Sequence, residues 1–186
     1  MDAFLYVRAH PGKAEEVVNQ LQASRGVHHA VLVIGDWDVL ASVHGADLAA
    51  IAAGVLRSVH RMEGVERTLT TPVVPADAMG LAGGGLGATA PLRRTGDACF
   101  VRIRTEPAAT TSVFEALVAM DHVAGVALVA GDVDILAEIP YGWEEAARVV
   151  LAQIQRVHGV RSTDTLVAVP HVPPDEEDRD QFSAWI

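Results

Sequence analysis

The sequence predicts an α+β protein assembled from two copies of one βαββαβ unit, and three observations carry that prediction. Much of residues 3–74 superimposes on residues 98–170 at an offset of 96 positions. Within each copy, short β-branched runs alternate with segments whose apolar residues recur at helical spacing. Between the copies, residues 75–97 are rich in glycine and poor in bulky apolar side chains, as a linker would be.

The offset lays Phe4 on Phe100, Arg8 on Arg104, Pro11 on Pro107, Leu21 on Leu117 and Val27 on Val123. It also lays Gly35-Asp36-Trp37-Asp38 on Gly131-Asp132-Val133-Asp134, and Leu40-Ala41 on Leu136-Ala137. After a one-residue deletion, Gly64-Val65 meets Gly159-Val160, and Thr68 and Thr70 meet Thr163 and Thr165.

In the first copy, Ala3 to Ala9 is β-branched and aromatic enough for a strand, which Pro11-Gly12 ends. From Lys13 to Ser24, Ala14, Val17, Val18 and Leu21 form one apolar stripe while Glu15, Glu16, Asn19 and Gln22 face water, predicting a helix stopped by Gly26. Ala30 to Ile34 and Val39 to His44 flank Gly35-Asp36-Trp37-Asp38 as the arms of a hairpin would. Leu48, Ile51, Ala52, Val55, Leu56 and Val59 predict a second helix, with Asp47 at its positive end and Gly64 closing it. Val65 to Val74 is the last strand, meeting a sheet edge near Pro72. The second copy repeats the order, with Val113, Phe114 and Leu117 on its first helix and Ala147, Val150, Leu151 and Ile154 on its second.

Two right-handed crossovers turn this order into a four-stranded antiparallel sheet with both helices on one face, the ferredoxin-like arrangement. The other face of so small a unit would expose a large apolar patch, and the tandem copy supplies its cover. A linker of about 22 residues spans roughly 25 Å as a flexible coil, enough to bring the sheets face to face. The expected organisation is therefore a first module at 1–74, a linker at 75–97, a second module at 98–170 and an acidic tail at 171–186, with the modules paired as an intramolecular dimeric α+β barrel-like pseudo-dimer.

Half of the 186 residues are hydrophobic and a fifth are charged, the balance of a globular chain with filled cores. A net charge of -10 lacks the basic excess that binding a phosphate backbone requires, so no direct nucleic-acid partner is expected. The single cysteine, Cys99, lies in an apolar run and reads as a buried thiol in a reducing, cytoplasmic setting. The N-terminus has no secretory pattern, and the least charged stretch, Pro72 to Leu92, is too rich in proline and glycine for a membrane span.

Arg8-x-x-Pro11-Gly12, Gly35-Asp36-Trp37-Asp38 and Gly64-Val65-x-Arg67-Thr68-x-Thr70 together resemble the effector-binding (RAM) module of Lrp/AsnC regulators, twice over. The resemblance implies a tandem module that senses a small metabolite, commonly an amino acid. Because the chain starts directly on the first strand, it is expected to lack the usual helix-turn-helix. In such regulators the effector lies where turns and strands of neighbouring modules meet. That implies Gly35, Thr68 and Thr70, with Gly131, Thr163 and Thr165, as candidates.

The turn carboxylates Asp36, Asp38, Asp132 and Asp134 could accept charge-assisted hydrogen bonds from an α-ammonium group, each contributing about 1.5 to 3 kcal/mol when partly buried. Asp also suits tight turns for its own backbone bonding, and the threonines suit strands. Trp37 could line a pocket, with Val133 making the second copy different. His28, His29, His44, His60 and His122 lack metal-ligand spacing, so no metal or other cofactor is expected. Gly80 to Gly85 precedes no helical pattern, which favours flexibility over phosphate binding. With no nucleophile-base pair evident, the expected activity is non-catalytic sensing. The alternatives are a small α+β barrel enzyme (monooxygenase or haem-related) and an assembly partner of a full-length regulator. Homo-oligomers or association with a related regulator are expected, and Phe182 and Trp185 in the acidic tail are expected to pack.

Overall fold

The first module runs β1 (Asp2–Ala9), α1 (Ala14–Gln22), β2 (Val27–Ile34), β3 (Val39–His44), α2 (Leu48–Ile51), a π-helical turn (Ala52–Leu56), α3 (Arg57–Val59) and β4 (Val65–Val74). The second runs β5 (Cys99–Thr105), α4 (Thr110–Val118), β6 (Gly125–Val129), β7 (Ile135–Ile139), α5 (Trp143–Ala152) and β8 (Val160–Val169). This computed structural model describes residues 1–86, 92 and 97–170. The acidic tail expected at 171–186, with Phe182 and Trp185, lies outside them.

The alternation along β1 explains the layers. Ala3, Leu5 and Val7 pack under α1 with Val17, Val18 and Leu21, while Phe4 and Tyr6 point the other way. In β5, Cys99, Val101 and Ile103 pack under α4 and α5, and Phe100 points opposite. Phe4, Tyr6 and Phe100 therefore share an interior between the two sheets, with Leu40, Leu136 and Leu166. On the outer face of the second sheet α4 buries Val113, Phe114 and Leu117 as expected, whereas α5 buries Ala146, Val149 and Val150 and leaves Leu151, expected in its apolar stripe, exposed.

All eight strands close into one barrel in the order β1-β3-β2-β8-β5-β7-β6-β4. Each module contributes a four-stranded antiparallel sheet, and the sheets join at two seams. At one, Leu32 pairs with Val169 and Ile34 with Val167; at the other, Val73 pairs with Val129 and Val74 with Leu128. Closure leaves neither module a free sheet edge, which removes a route to edge-to-edge aggregation. The pseudo-dimer expected from the duplication is thus sealed along its edges as well as stacked through its faces.

The glycine-rich connection is more ordered than a free coil. Ala76–Met79 forms a 3-10 turn, Gly85 bridges Val126, and Leu86 and Leu92 are buried in the barrel interior. Two apolar side chains in the connection thereby help to fill the space between the sheets.

Local signals act as expected at the helix ends. Asp47 accepts the Ala50 N–H at 2.7 Å, satisfying one of the unpaired donors of the first turn. Gly159, with φ +95°, returns the chain into β8, and a Cβ there would lie 2.3 Å from that of Ala109. No helix among the described residues is long and apolar enough to cross a membrane.

Candidate functional site

Each turn of Gly-Asp-x-Asp leaves its own module and meets the last strand of the other. Gly35 abuts β8: a Cβ at that position would stand 2.7 Å from Leu166 Cδ2 and 3.2 Å from the Thr165 carbonyl oxygen, so only glycine lets the two segments approach. Gly131 abuts β4 in the equivalent way, 3.3 Å from Thr71 Cγ2 by the same measure. The two junctions are related by the internal duplication.

At the first junction, α5 and β8 form the walls and floor of a groove. Trp143, Ala147, Val150 and Leu151 come from the helix and Thr163 and Thr165 from the strand, around a cavity of about 320 Å³. It continues into a second space of about 410 Å³, bounded by Ile34, Gly35, Trp143, Thr165 and Val167. The lining is mainly apolar, and Ile34, Trp143 and Leu151 are 66%, 55% and 62% exposed. Thr163 Oγ1 accepts from Gln155 Nε2 at 2.8 Å. Volumes of this size and an apolar lining with a few hydroxyls suit a small molecule with an apolar body and a polar end.

The structure sorts the remaining candidates. Thr68, Thr70 and Gly131 belong to the other junction, where His60 Nε2 and Thr68 Oγ1 are 2.7 Å apart, the counterpart of the Gln155 contact. Asp38 Oδ2 accepts the Ala9 N–H at 2.9 Å, and Asp134 Oδ2 accepts the Thr105 N–H at 2.7 Å and lies 3.2 Å from its hydroxyl. Both carboxylates thus secure the irregular end of a strand, where the register shifts after Arg8 and after Arg104. Asp38 also borders a separate cavity of about 340 Å³ with Arg8, His10 and Glu66. Asp36 is exposed at the tip of the turn beside Gly35. Trp37 does not line the groove; it is buried in the barrel, 5.8 Å from the Tyr6 ring, with the Arg67 guanidinium 4.7 Å above its own.

Asp132 enters an ionic network around a buried arginine that sequence reasoning missed. Arg102, 4% exposed, donates to Asp132 Oδ2 and, at 2.7 Å, to Asp164 Oδ2, while Arg104 Nε donates to the Asp132 carbonyl at 2.7 Å. The Arg102 guanidinium lies 4.9 Å from the Tyr6 ring centroid. Burial opposes its charge, and Tyr6, Asp164 and Asp132 outweigh that, so its pKa is raised. The Tyr6 hydroxyl is also raised, chiefly by burial. Tyr6 and Arg102 are equivalent positions of the two modules, and their strand partners are Leu69 and Asp164. The readable signal was a charge in one copy where the other is apolar, at both members of a cross-strand pair.

Among the described residues no three His, Cys, Asp or Glu side chains gather as a metal set. His44 pairs with Asp2 at 2.7 Å and His122 approaches the Tyr141 hydroxyl at 3.3 Å.

Comparison with known proteins adds three similarities to solved structures and a family match. Along the whole chain, the fold is similar to that of the siroheme decarboxylase NirDL, with a TM-score of 0.65 and 13% identity over 99% of this chain and 79% of that one. That similarity is one of fold, and because NirDL is an enzyme the expectation that this chain is non-catalytic does not stand. Single modules are similar to TTHA0845 from Thermus thermophilus, 31% identical over 41% of this chain and 98% of that one with a TM-score of 0.38. A third similarity is to Escherichia coli AsnC, 24% identical over 43% and 54% with a TM-score of 0.37. No match is found among curated proteins. The sequence profile of the Lrp/AsnC ligand binding domain matches residues 2–76 and again residues 98–177. The chain belongs to the Lrp/AsnC ligand-binding-domain family, carrying that domain twice.

Proposed function

We propose that this protein is a cytoplasmic sensing module that binds a small metabolite, an amino acid with an apolar side chain, in the groove between α5, β8 and the Gly35 turn. The observation that carries the reading is the groove itself: apolar walls from Trp143 and Leu151 around the hydroxyls of Thr163 and Thr165, at a junction between modules. Asp164 in the groove lining and Asp36, exposed beside Gly35, are the carboxylates that would meet an α-ammonium group. The acidic chain gives no basis for direct DNA contact, so its influence on transcription runs through association with a related regulator.

A thermal-shift screen against the twenty amino acids tests this. At a hundredfold excess over Kd, a ligand stabilises the native state by roughly 2.7 kcal/mol. Trp143→Ala and Thr165→Val should each weaken the stabilising amino acid about tenfold or more, while Thr68→Val at the other junction leaves it unchanged. Equal losses from Thr68→Val and Thr165→Val would discard this groove as the site. A second reading follows from the whole-chain similarity to NirDL, which has been solved with an iron-uroporphyrin III analogue: a tetrapyrrole substrate. Stabilisation by iron-uroporphyrin, with none by amino acids, would favour it.

A further inference from the structure

The cavity beside Asp38, of about 340 Å³ at the end of β1, shares no lining residue with the groove. The second copy shows what the first one lacks there. In that copy Thr105 Oγ1 lies 2.7 Å from Thr110 Oγ1 and 3.2 Å from Asp134 Oδ2, so two adjacent hydroxyls stand against the carboxylate. The repeat offset places Ala9 and Ala14 at those two positions of the first copy, and both line the cavity. Asp38 keeps the backbone contact of its counterpart, accepting the Ala9 N–H at 2.9 Å, but has neither hydroxyl to accept from. An ionised carboxylate offers about four lone-pair sites, so Asp38 retains capacity for a donor from outside the chain.

The rest of the lining selects the kind of molecule. Arg8 and His10 can donate and Asp38 and Glu66 can accept, while no large apolar side chain lines the space. A simple anion would meet two carboxylates and a simple cation would meet the guanidinium, whereas a neutral polar molecule can use all four groups as hydrogen-bond partners. The two threonine hydroxyls of the second copy have the close spacing of neighbouring hydroxyls on one carbon chain, and they show how such a pair sits against this carboxylate.

We propose that the cavity is a binding site for a small neutral polyol or monosaccharide, held by a vicinal diol that donates to Asp38 in the place the threonine hydroxyls take in the other copy. Arg8, His10 and Glu66 meet its remaining hydroxyls. The site is independent of the groove and of the function proposed for it.

Titration of the isotope-labelled full chain with glycerol, D-ribose and D-glucose, followed through backbone amide chemical shifts, tests the proposal. At least one of the three should move the Ala9, Gly12 and Ala14 amides in a saturable way and leave Thr105 and Thr110 in place. Isopropanol, with a single hydroxyl, should give no saturable shift. Ala9→Thr with Ala14→Thr installs the hydroxyl pair that the second copy already carries, and should weaken the bound polyol about tenfold or more. Trp143→Ala, in the groove, should leave that affinity unchanged. The shift map of the parent chain needs no variant: saturable shifts at Ala9, Gly12 and Ala14 from glycine but from none of the polyols would overturn the proposal, as would no saturable shift there at all. Polyol binding that survives the double threonine variant, or that Trp143→Ala removes, would overturn it as well.

Discussion

Replacing Arg102 by leucine should destabilise the barrel, and replacing Asp164 by leucine as well should restore most of the loss. The arginine is 4% exposed at its side chain, whereas Asp132 and Asp164 are 38% and 25% exposed. Breaking a fully buried ion pair by removing one partner costs about 3 to 5 kcal/mol. Here both carboxylates keep some water, so the cost of Arg102→Leu is scaled down to about 2 to 3 kcal/mol, part of it lost packing on Tyr6. In the double variant Asp164 is gone and Asp132 retains Arg104 and solvent, leaving an apolar pair like Tyr6 opposite Leu69 in the first module. That variant should lie within about 1 kcal/mol of the parent, because well-packed apolar replacements of buried ion pairs are often neutral. Urea denaturation followed by circular dichroism measures all four members of the cycle, with urea chosen because guanidinium would screen the charges. Additive losses, with the double variant worse than either single one, would refute the reasoning, as would a single Arg102→Leu variant as stable as the parent.

Asp134→Ala should cost about 1 to 3 kcal/mol in the same denaturation assay, because it leaves the Thr105 N–H without its carboxylate; a change below about 0.5 kcal/mol would mean the contact is dispensable. Burial pushes the Cys99 thiol up from 9.0 to about 11, so the native state keeps a proton that the unfolded chain loses. The thiol's contribution to stability is therefore intact below pH 9 and declines between about pH 9 and 11, by up to roughly 3 kcal/mol. The difference between the parent and Cys99→Ala stability profiles isolates it, and parallel profiles across that window would contradict a buried thiol.

Much of the fold was legible because its signals are local and occur twice. Helical spacing at Val17, Val18 and Leu21, the Asp47 cap and the positive φ of Gly64 and Gly159 are each set within a few residues in the chain. The groove was only half legible. Gly35, Thr163 and Thr165 could be named from the family pattern, but their convergence depends on which module's turn meets which module's strand. Trp143, at the start of a helix, carries no sequence mark that separates a groove wall from a core residue.

The tandem α+β architecture, the pairing of the two copies and membership of a ligand-binding family are all determined by the sequence alone, since repetition, apolar period and turn residues need no distant partner to be read. The tertiary structure decided that Trp37 enters the barrel, that Asp38 and Asp134 secure strand ends, and that Arg102 is held by two carboxylates. It also drew Leu86 and Leu92 from the connection into the core. In each case the outcome depends on which side chain occupies a shared interior, and that is set by the closure of two sheets about 100 residues apart in the chain rather than by any neighbour in sequence.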